Sequence, residues 1–243
     1  MLLNLGQGVA WDNWVGRGVR RNHPEDYHEY VKGCDIASFD IYPVVHDRPE
    51  VAGKLWFVAQ GVERLVRWAG PERSVWNCIE CTRIGQPERK ATPHQVRAEV
   101  WMSLIHGSQG IIYFVHELEP VFVEARLLQD PQMLAAVTAI DQQIRELAPA
   151  LNSPNTERAQ VASSAAEVPV DLMAKEYGGD LYIFAAAMRP GSTRGTFQIS
   201  NIKGEKSAEV LGEERRLEVK DGSFADEFGD YGVHLYRIEG AGR

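Results

Sequence analysis

The chain has 243 residues, 44% of them apolar, enough to bury a substantial core as one large domain or two smaller ones. Its 26 basic against 34 acidic residues leave a net charge of −8, which argues against nucleic acid or an anionic membrane as partner. No apolar run approaches the roughly 20 residues of a spanning helix, and the opening MLLNLGQG has neither the basic nor the long apolar region of a signal peptide, so the expectation is a soluble, unexported, cytoplasmic protein.

The predicted elements alternate strand and helix up to about residue 150. LLNLGQ (2–7) reads as a short apolar strand, and PEDYHEYVKG (24–33) as a helix with Pro24 at its start and Gly33 as its stop. CDIASFDIYP (34–43) is the second strand, and Leu55, Val58, Val62, Leu65 and Ala69 fall at helical spacing over 54–69, ended by Gly70-Pro71. VWNCIEC (75–81) is the third strand, with one acid, Glu80, near its end. Thr92-Pro93-His94-Gln95 is a capping box opening a helix whose Val96, Val100, Leu104 and Ile105 share a face before Gly107. GIIYFVH (110–116) is the fourth strand, apolar enough to be covered on both faces, and a last helix runs from Asp130-Pro131 to near Pro149.

After the linker Leu151-Asn152-Ser153-Pro154-Asn155 the period changes to alternation. DLYIFAAAM (180–188), GTFQISNI (195–202), RRLEVKD (215–221) and YGVHLYRIE (231–239) read as strands of a small antiparallel β-sandwich over 151–243. Four strand-helix units occupy residues 1–150, whereas a closed (β/α)8 barrel needs eight in roughly 250 residues, so a complete barrel does not fit. The fold expected is an α/β half barrel followed by a β-sandwich.

A carboxylate at the end of a parallel strand faces the crevice in which such sheets bind ligands, which makes Glu80 the leading candidate for a reactive group. A glutamate in an apolar strand must meet water, a ligand or a partner, and the structural alternative here is an ion pair to Arg83. Other strand-end acids are Asp12, Asp40 and Glu117; Glu117, one strand from Glu80 at the same edge, is the favoured second carboxylate. Asp40 alternates with Ser38 and Tyr42, opposite Phe39 and Ile41, and could bind a hydroxyl. Trp11, Trp14 and Tyr42 lie at the same edge, where flat apolar rings suit the C–H faces of a sugar, whereas Trp56, Trp68 and Trp101 sit at core spacing on helices.

Cys78 and Cys81 form a C-x-x-C, but residues three apart on a strand point to opposite faces, so they read as buried thiols. With Cys34 they make an odd count, which fits a reducing compartment. The histidines show no metal-ligand spacing, and His106 reads as a helix C-cap. No glycine-rich phosphate loop follows any strand, and no cofactor is expected.

WNCIECT followed by TPHQVRAEVWMSLIHGSQGIIYFVH resembles strand seven, helix seven and strand eight of the large retaining clan of (β/α)8 glycoside hydrolases, and is most similar to the family-42 type of β-galactosidase. The resemblance implies that residues 1–150 correspond to barrel strands five to eight, with Glu80 at the nucleophile position, and that the trailing domain is the sandwich that often follows these barrels. It implies a retaining hydrolase acting on a galactoside or other plant-type oligosaccharide. In that clan the acid/base follows an asparagine at the end of strand four, a position upstream of this chain, and where the family carries a tryptophan under the sugar this chain has His116-Glu117. Arg83 and His116, flanking the site, are then substrate-binding candidates.

Retaining hydrolysis needs two carboxyls about 5 Å apart. The second would come from Glu117 or from another subunit: half a barrel leaves two apolar strand edges, 2–7 and 110–116, that a two-fold homodimer would cover. The alternative expectation is a truncated, catalytically inactive module that binds carbohydrate or another partner.

Overall fold

The computed structural model describes residues 1–242. The chain forms two compact units, Met1–Thr138 and Ala139–Arg243.

The first unit is a four-stranded, all-parallel sheet in chain order, β1 (Leu2–Asn4), β2 (Ile36–Asp40), β3 (Ser74–Glu80) and β4 (Gly110–Phe114). Side-chain alternation sorts its two faces. Ala37, Phe39, Val75 and Ile79 are buried on the side where Asn77 donates to Ser103 of helix α3 at 2.8 Å, while Asn4, Ser38, Asp40 and Cys78 point the other way. Helices α2 (Phe57–Ala69) and α3 (Pro93–Ile105) cover the first face, a short α1 (Tyr27–Tyr30) lies beside α2, and α4 (Pro131–Leu151) follows.

Local chemistry sets the boundaries. β1 stops at Asn4 because Gly6 takes a positive φ of 73° and a 3-10 turn, Gln7–Val9, begins at once, three residues short of the strand expected over 2–7. The helix expected over 24–33 is broken into two 3-10 turns around α1, whose Tyr27 leaves the helical surface to stack on Trp68 at 5.7 Å. α3 starts with the expected capping box: Thr92 accepts from the Gln95 amide and the Gln95 side chain returns to the Thr92 amide. The single apolar face expected for α3 is too narrow, because Val96, Ala98, Glu99, Val100, Trp101, Met102 and Ser103 are all buried and the helix is covered all round. β4 is less covered than its apolar sequence suggests: as the edge strand, all five of its residues remain partly exposed.

The second unit holds eight antiparallel strands, β5 (Ala159–Ser163), β6 (Val170–Tyr177), β7 (Asp180–Ala187), β8 (Thr193–Ile199), β9 (Glu205–Val210), β10 (Arg215–Lys220), β11 (Ser223–Phe228) and β12 (Val233–Ile238). They form one sheet in the order β5-β8-β11-β10-β9-β12-β7-β6. The two ends of that order nearly meet: Asn155 bridges Lys175, and the Thr156 amide donates to Ala174 O at 3.0 Å. In place of the expected sandwich of two facing sheets, a single sheet curls almost shut around Ile183, Phe197, Phe224, Phe228 and Tyr236. Inside it Arg215 grips Asp226 with two hydrogen bonds of 2.9 and 2.7 Å, and the Tyr236 hydroxyl donates to the same carboxylate at 2.9 Å.

Candidate functional site

The four parallel strands end at one rim, where Asp40 and Glu80 are the last residues of β2 and β3 and the loops that follow the strands carry the other candidate site residues. Three cavities open there. The first, ≈ 350 Å³, lies at the ends of β1 and β2 and is lined by Asn4, Asp12, Trp14, Tyr27, Tyr30 and Asp40 among others. Its floor is a polar relay in which Ser38 Oγ donates to Asn4 Oδ1 at 3.2 Å and Asn4 Nδ2 donates to Asp40 Oδ1 at 2.8 Å. A β carbon on Gly8 would sit 2.0 Å from the Tyr27 hydroxyl, so only glycine lets this ring close the wall.

The second cavity, ≈ 390 Å³, shares Gln7, Trp14 and Val15 with the first and adds Trp11, His46 and Arg48. Trp11 and Trp14 lie 6.4 Å apart at 35°, and Trp11 meets the His46 ring edge-on at 5.3 Å. Because His46 Nδ1 accepts from the Arg48 amide at 3.1 Å, its Nε2–H is the group that donates to Gln7 Oε1 at 2.8 Å. Burial lowers its pKa and keeps the ring neutral.

The third cavity, ≈ 200 Å³, lies beyond β3 and β4 and is lined by Thr82, Arg83, Lys90, Glu117, Arg126, Gln129, Asp130 and Pro131.

Glu80 lines none of the three. At 0% exposure, its Oε1 accepts from the Val44 amide at 2.6 Å and its Oε2 from the Val45 amide at 2.9 Å, and beside it lies Glu99 of α3, also at 0%. No N–H or other hydroxyl donor reaches either oxygen of Glu99, so that carboxyl holds a proton and gives it to Glu80. Burial raises Glu80 to about 7, against the two amides, which favour its anion. Burial, and then the charge on Glu80, raises Glu99 well above the ordinary carboxylate range. The partners of Glu80 are thus two amides and a carboxylic acid, in place of the Arg83 guanidinium.

The remaining candidates are dispersed. Glu117, nearly buried, faces Arg126 at 3.4 Å in the third cavity, which also takes in Arg83. Asp12 makes a two-pronged contact with Arg64 at 2.6 and 3.2 Å. Tyr42 packs against Phe114 at 5.4 Å, and burial raises its pKa. His116 accepts from the Ala125 amide at 3.1 Å and packs edge-on to Phe114, a loop staple more than a platform. Trp11, Asp12, Trp14 and Asp40 are brought together around the two joined cavities; Glu80 and Glu117 are not brought to a common cleft.

Residues the sequence reading passed over are Asn4, Gln7, Tyr27, Tyr30 and His46 in the joined cavities, and Glu99. Burial pushes the Cys78 and Cys81 thiols up to about 11 and about 12, so both stay protonated at neutral pH. Among the described residues no cluster of three or more His, Cys, Asp or Glu could hold a metal ion, and no helix is long and apolar enough to cross a membrane.

No family model and no curated protein matches the chain. Solved structures do. The chain is similar to AmyP in complex with maltose (TM-score 0.52, 10% identity, 97% of this chain and 63% of that one) and to a glutamine variant of AmyP in complex with maltotriose (TM-score 0.53, 11%, 84% and 55%). It is also similar to a noncanonic maltogenic α-amylase, AmyB, from Thermotoga neapolitana (TM-score 0.51, 8%, 88% and 53%). The chain spans between about half and two thirds of the length of these structures. At such identities the likeness is one of fold, and the fold is glycosidase-like.

Proposed function

We propose that this chain binds carbohydrate through the joined cavities at the sheet rim and that, as folded here, it does so without Glu80 acting as a nucleophile. The observation that carries the reading is the Trp11 and Trp14 ring pair beside the Asn4–Asp40 hydrogen-bonded pair: apolar ring faces for sugar C–H groups next to acceptors and an amide for sugar hydroxyls. The glycosidase-like fold is consistent with it, since the solved neighbours are held with maltose and maltotriose.

Several features of the chain argue for binding over hydrolysis. Glu80 has no exposed surface and both its oxygens are engaged. Its carboxyl neighbour, Glu99, is also fully buried and lines none of the three cavities, so it offers no second carboxyl to a sugar in the cleft. In this proposal residues 1–150 are the half barrel, equivalent to strands five to eight of a family-42-type β-galactosidase, and 151–243 the accessory domain.

A second reading, retaining hydrolysis of a galactoside or related oligosaccharide, is favoured by one observation: Glu80 terminates a central parallel strand and titrates near neutrality. It needs the Val44–Val45 segment to withdraw and a proton donor to arrive. Pairing of two chains through the partly exposed β1 and β4 edges is our proposal for how a donor would be supplied.

The deciding experiment assays chromogenic galactosides, glucosides and arabinosides with wild type and Glu80→Gln, alongside melting temperature with the free sugars. Equal inertness of both chains with a sugar-dependent rise in melting temperature supports the binding module. Turnover by wild type that is abolished in Glu80→Gln establishes the hydrolase instead.

A further inference from the structure

The third rim cavity has a chemistry unlike the other two. Three cations, Arg83, Lys90 and Arg126, line it with two carboxylates, Glu117 and Asp130. Both carboxylates are already engaged, Glu117 by Arg126 at 3.4 Å and Asp130 by Lys90 and by the Met133 amide at 3.2 Å. Among the described residues Arg83 makes no ion pair, so the cavity carries one uncompensated positive charge on a chain whose net charge is −8. Arg126 also donates to Gln129 Oε1 at 3.0 Å, which engages the oxygen of that amide and leaves its NH2 group as a further donor.

The walls are fixed by backbone pairing. Thr82 Oγ1 donates to His116 O at 2.6 Å and accepts from the Ile84 amide at 3.2 Å; Ile84 bridges Glu117, and the Leu118 amide donates to Ile84 O at 2.6 Å. Glu117 and Val123 exchange two backbone hydrogen bonds of 3.1 and 2.8 Å. The loops after β3 and β4 are therefore one hydrogen-bonded ribbon, and two of the cations, Lys90 on Asp130 and Arg126 on Glu117 and Gln129, are held in place before any ligand arrives, while Arg83 is left without an ionic partner among the described residues.

We infer that this cavity receives the oxyanion of an acidic sugar, with Arg83 as the principal contact. A guanidinium fork with a second arginine and an amide donor suits a planar carboxylate or a sulfate or phosphate ester, and a cavity of ≈ 200 Å³ has room for such a group. Leu118, Val121 and Phe122, which do not line the cavity, are exposed on the same ribbon. The inference rests on the carbohydrate reading and adds to it a second subsite on the same rim, for the charged group of uronates and ester-bearing sugars.

The test is titration calorimetry of wild type, Arg83→Gln and Arg83→Lys with galactose, galacturonate, galactose 6-sulfate and inorganic sulfate, at low and high sodium chloride. Galacturonate or galactose 6-sulfate should bind wild type at least tenfold more tightly than galactose, lose that gain in Arg83→Gln and at high salt, and recover part of it in Arg83→Lys. Equal affinity for galactose and its acidic derivatives overturns the inference while leaving sugar binding intact. Binding of inorganic sulfate without any sugar overturns it together with the carbohydrate reading, as does the absence of all binding.

Discussion

Glu80 and Glu99 meet inside the first unit with one carboxyl donating to the other, and the Val44 and Val45 amides complete the shell around Glu80. The contact ties the end of β3 to α3 and to the loop after β2. Two carboxyls in one dry site cannot both ionise, so this relationship dictates how the fold responds to pH.

Both groups titrate above the ordinary 4.5 when folded, Glu80 at about 7 and Glu99 also well above that ordinary value, each chiefly because of burial. The folded chain therefore binds protons that the unfolded chain has released. Their stabilising contribution is full below about pH 4.5 and is lost as pH rises through about 7, by up to about 3 kcal/mol for Glu80. Glu99→Gln keeps a donor to Glu80 and removes the competing acid, so its melting temperature should fall less than that of wild type between pH 5 and pH 8, a range spanning about the shifted carboxyl. Parallel melting curves for the two chains would remove the shared proton from the account.

Helix α2 contains Gly61, where alanine would ordinarily stabilise by about 1 kcal/mol. Here a β carbon would lie 2.3 Å from Phe39 Cε2 and 3.0 Å from Ala10 Cβ. Crowding of a fully buried ring costs about 1 to 3 kcal/mol, so Gly61→Ala should destabilise, with a lower urea midpoint and an unchanged slope. A stabilised variant would mean that α2 does not press on β2 as described.

In the second unit, Asp226 holds Arg215 and the Tyr236 hydroxyl inside the curled sheet. Asp226→Ala strands both donors and should cost about 3 kcal/mol in denaturant unfolding, with Asp226→Asn costing less because one acceptor remains. A loss below about 0.5 kcal/mol would show that Glu213 and water compensate fully.

Much of this architecture could be read from the sequence. The alternation of strands and helices to β4, the capping box of Thr92 and Gln95, and the change of period after residue 151 are strong local signals. Four strands of the second unit escaped because β5, β6, β9 and β11 read AQVAS, VDLMAKEY, EKSAEV and SFADEF: about half polar, with buried residues as small as alanine or as unexpected as Lys175 and Asp226. Trp11, Asp12, Trp14 and Asp40 were recognisable as rim residues by their place after strands. Glu99 was not, because the reading gave α3 one apolar face; a lone glutamate between Ala98 and Val100, next to Trp101 and Met102, was the available sign of a buried partner. Glu80 itself could be placed at a strand end, but sequence does not say whether the next loop leaves it open or caps it with amides.

If the two tryptophans grip a sugar, Trp14→Ala should weaken it at least about tenfold, roughly 1.4 kcal/mol, while leaving the melting temperature of the free chain nearly unchanged, since Trp14 is only partly buried. Titration of the variant beside wild type checks this. Equal affinities would take Trp14 out of the site.

The most direct measurement of rim binding is nuclear magnetic resonance of the indole N–H signals during titration with a galacto-oligosaccharide, in wild type and in Glu80→Gln. The Trp11 and Trp14 signals should move in both chains with the same affinity, Trp101 should stay still in its core site, and no sugar should be cleaved. Unmoved Trp11 and Trp14 signals, or cleavage in wild type that vanishes in Glu80→Gln, would contradict the account.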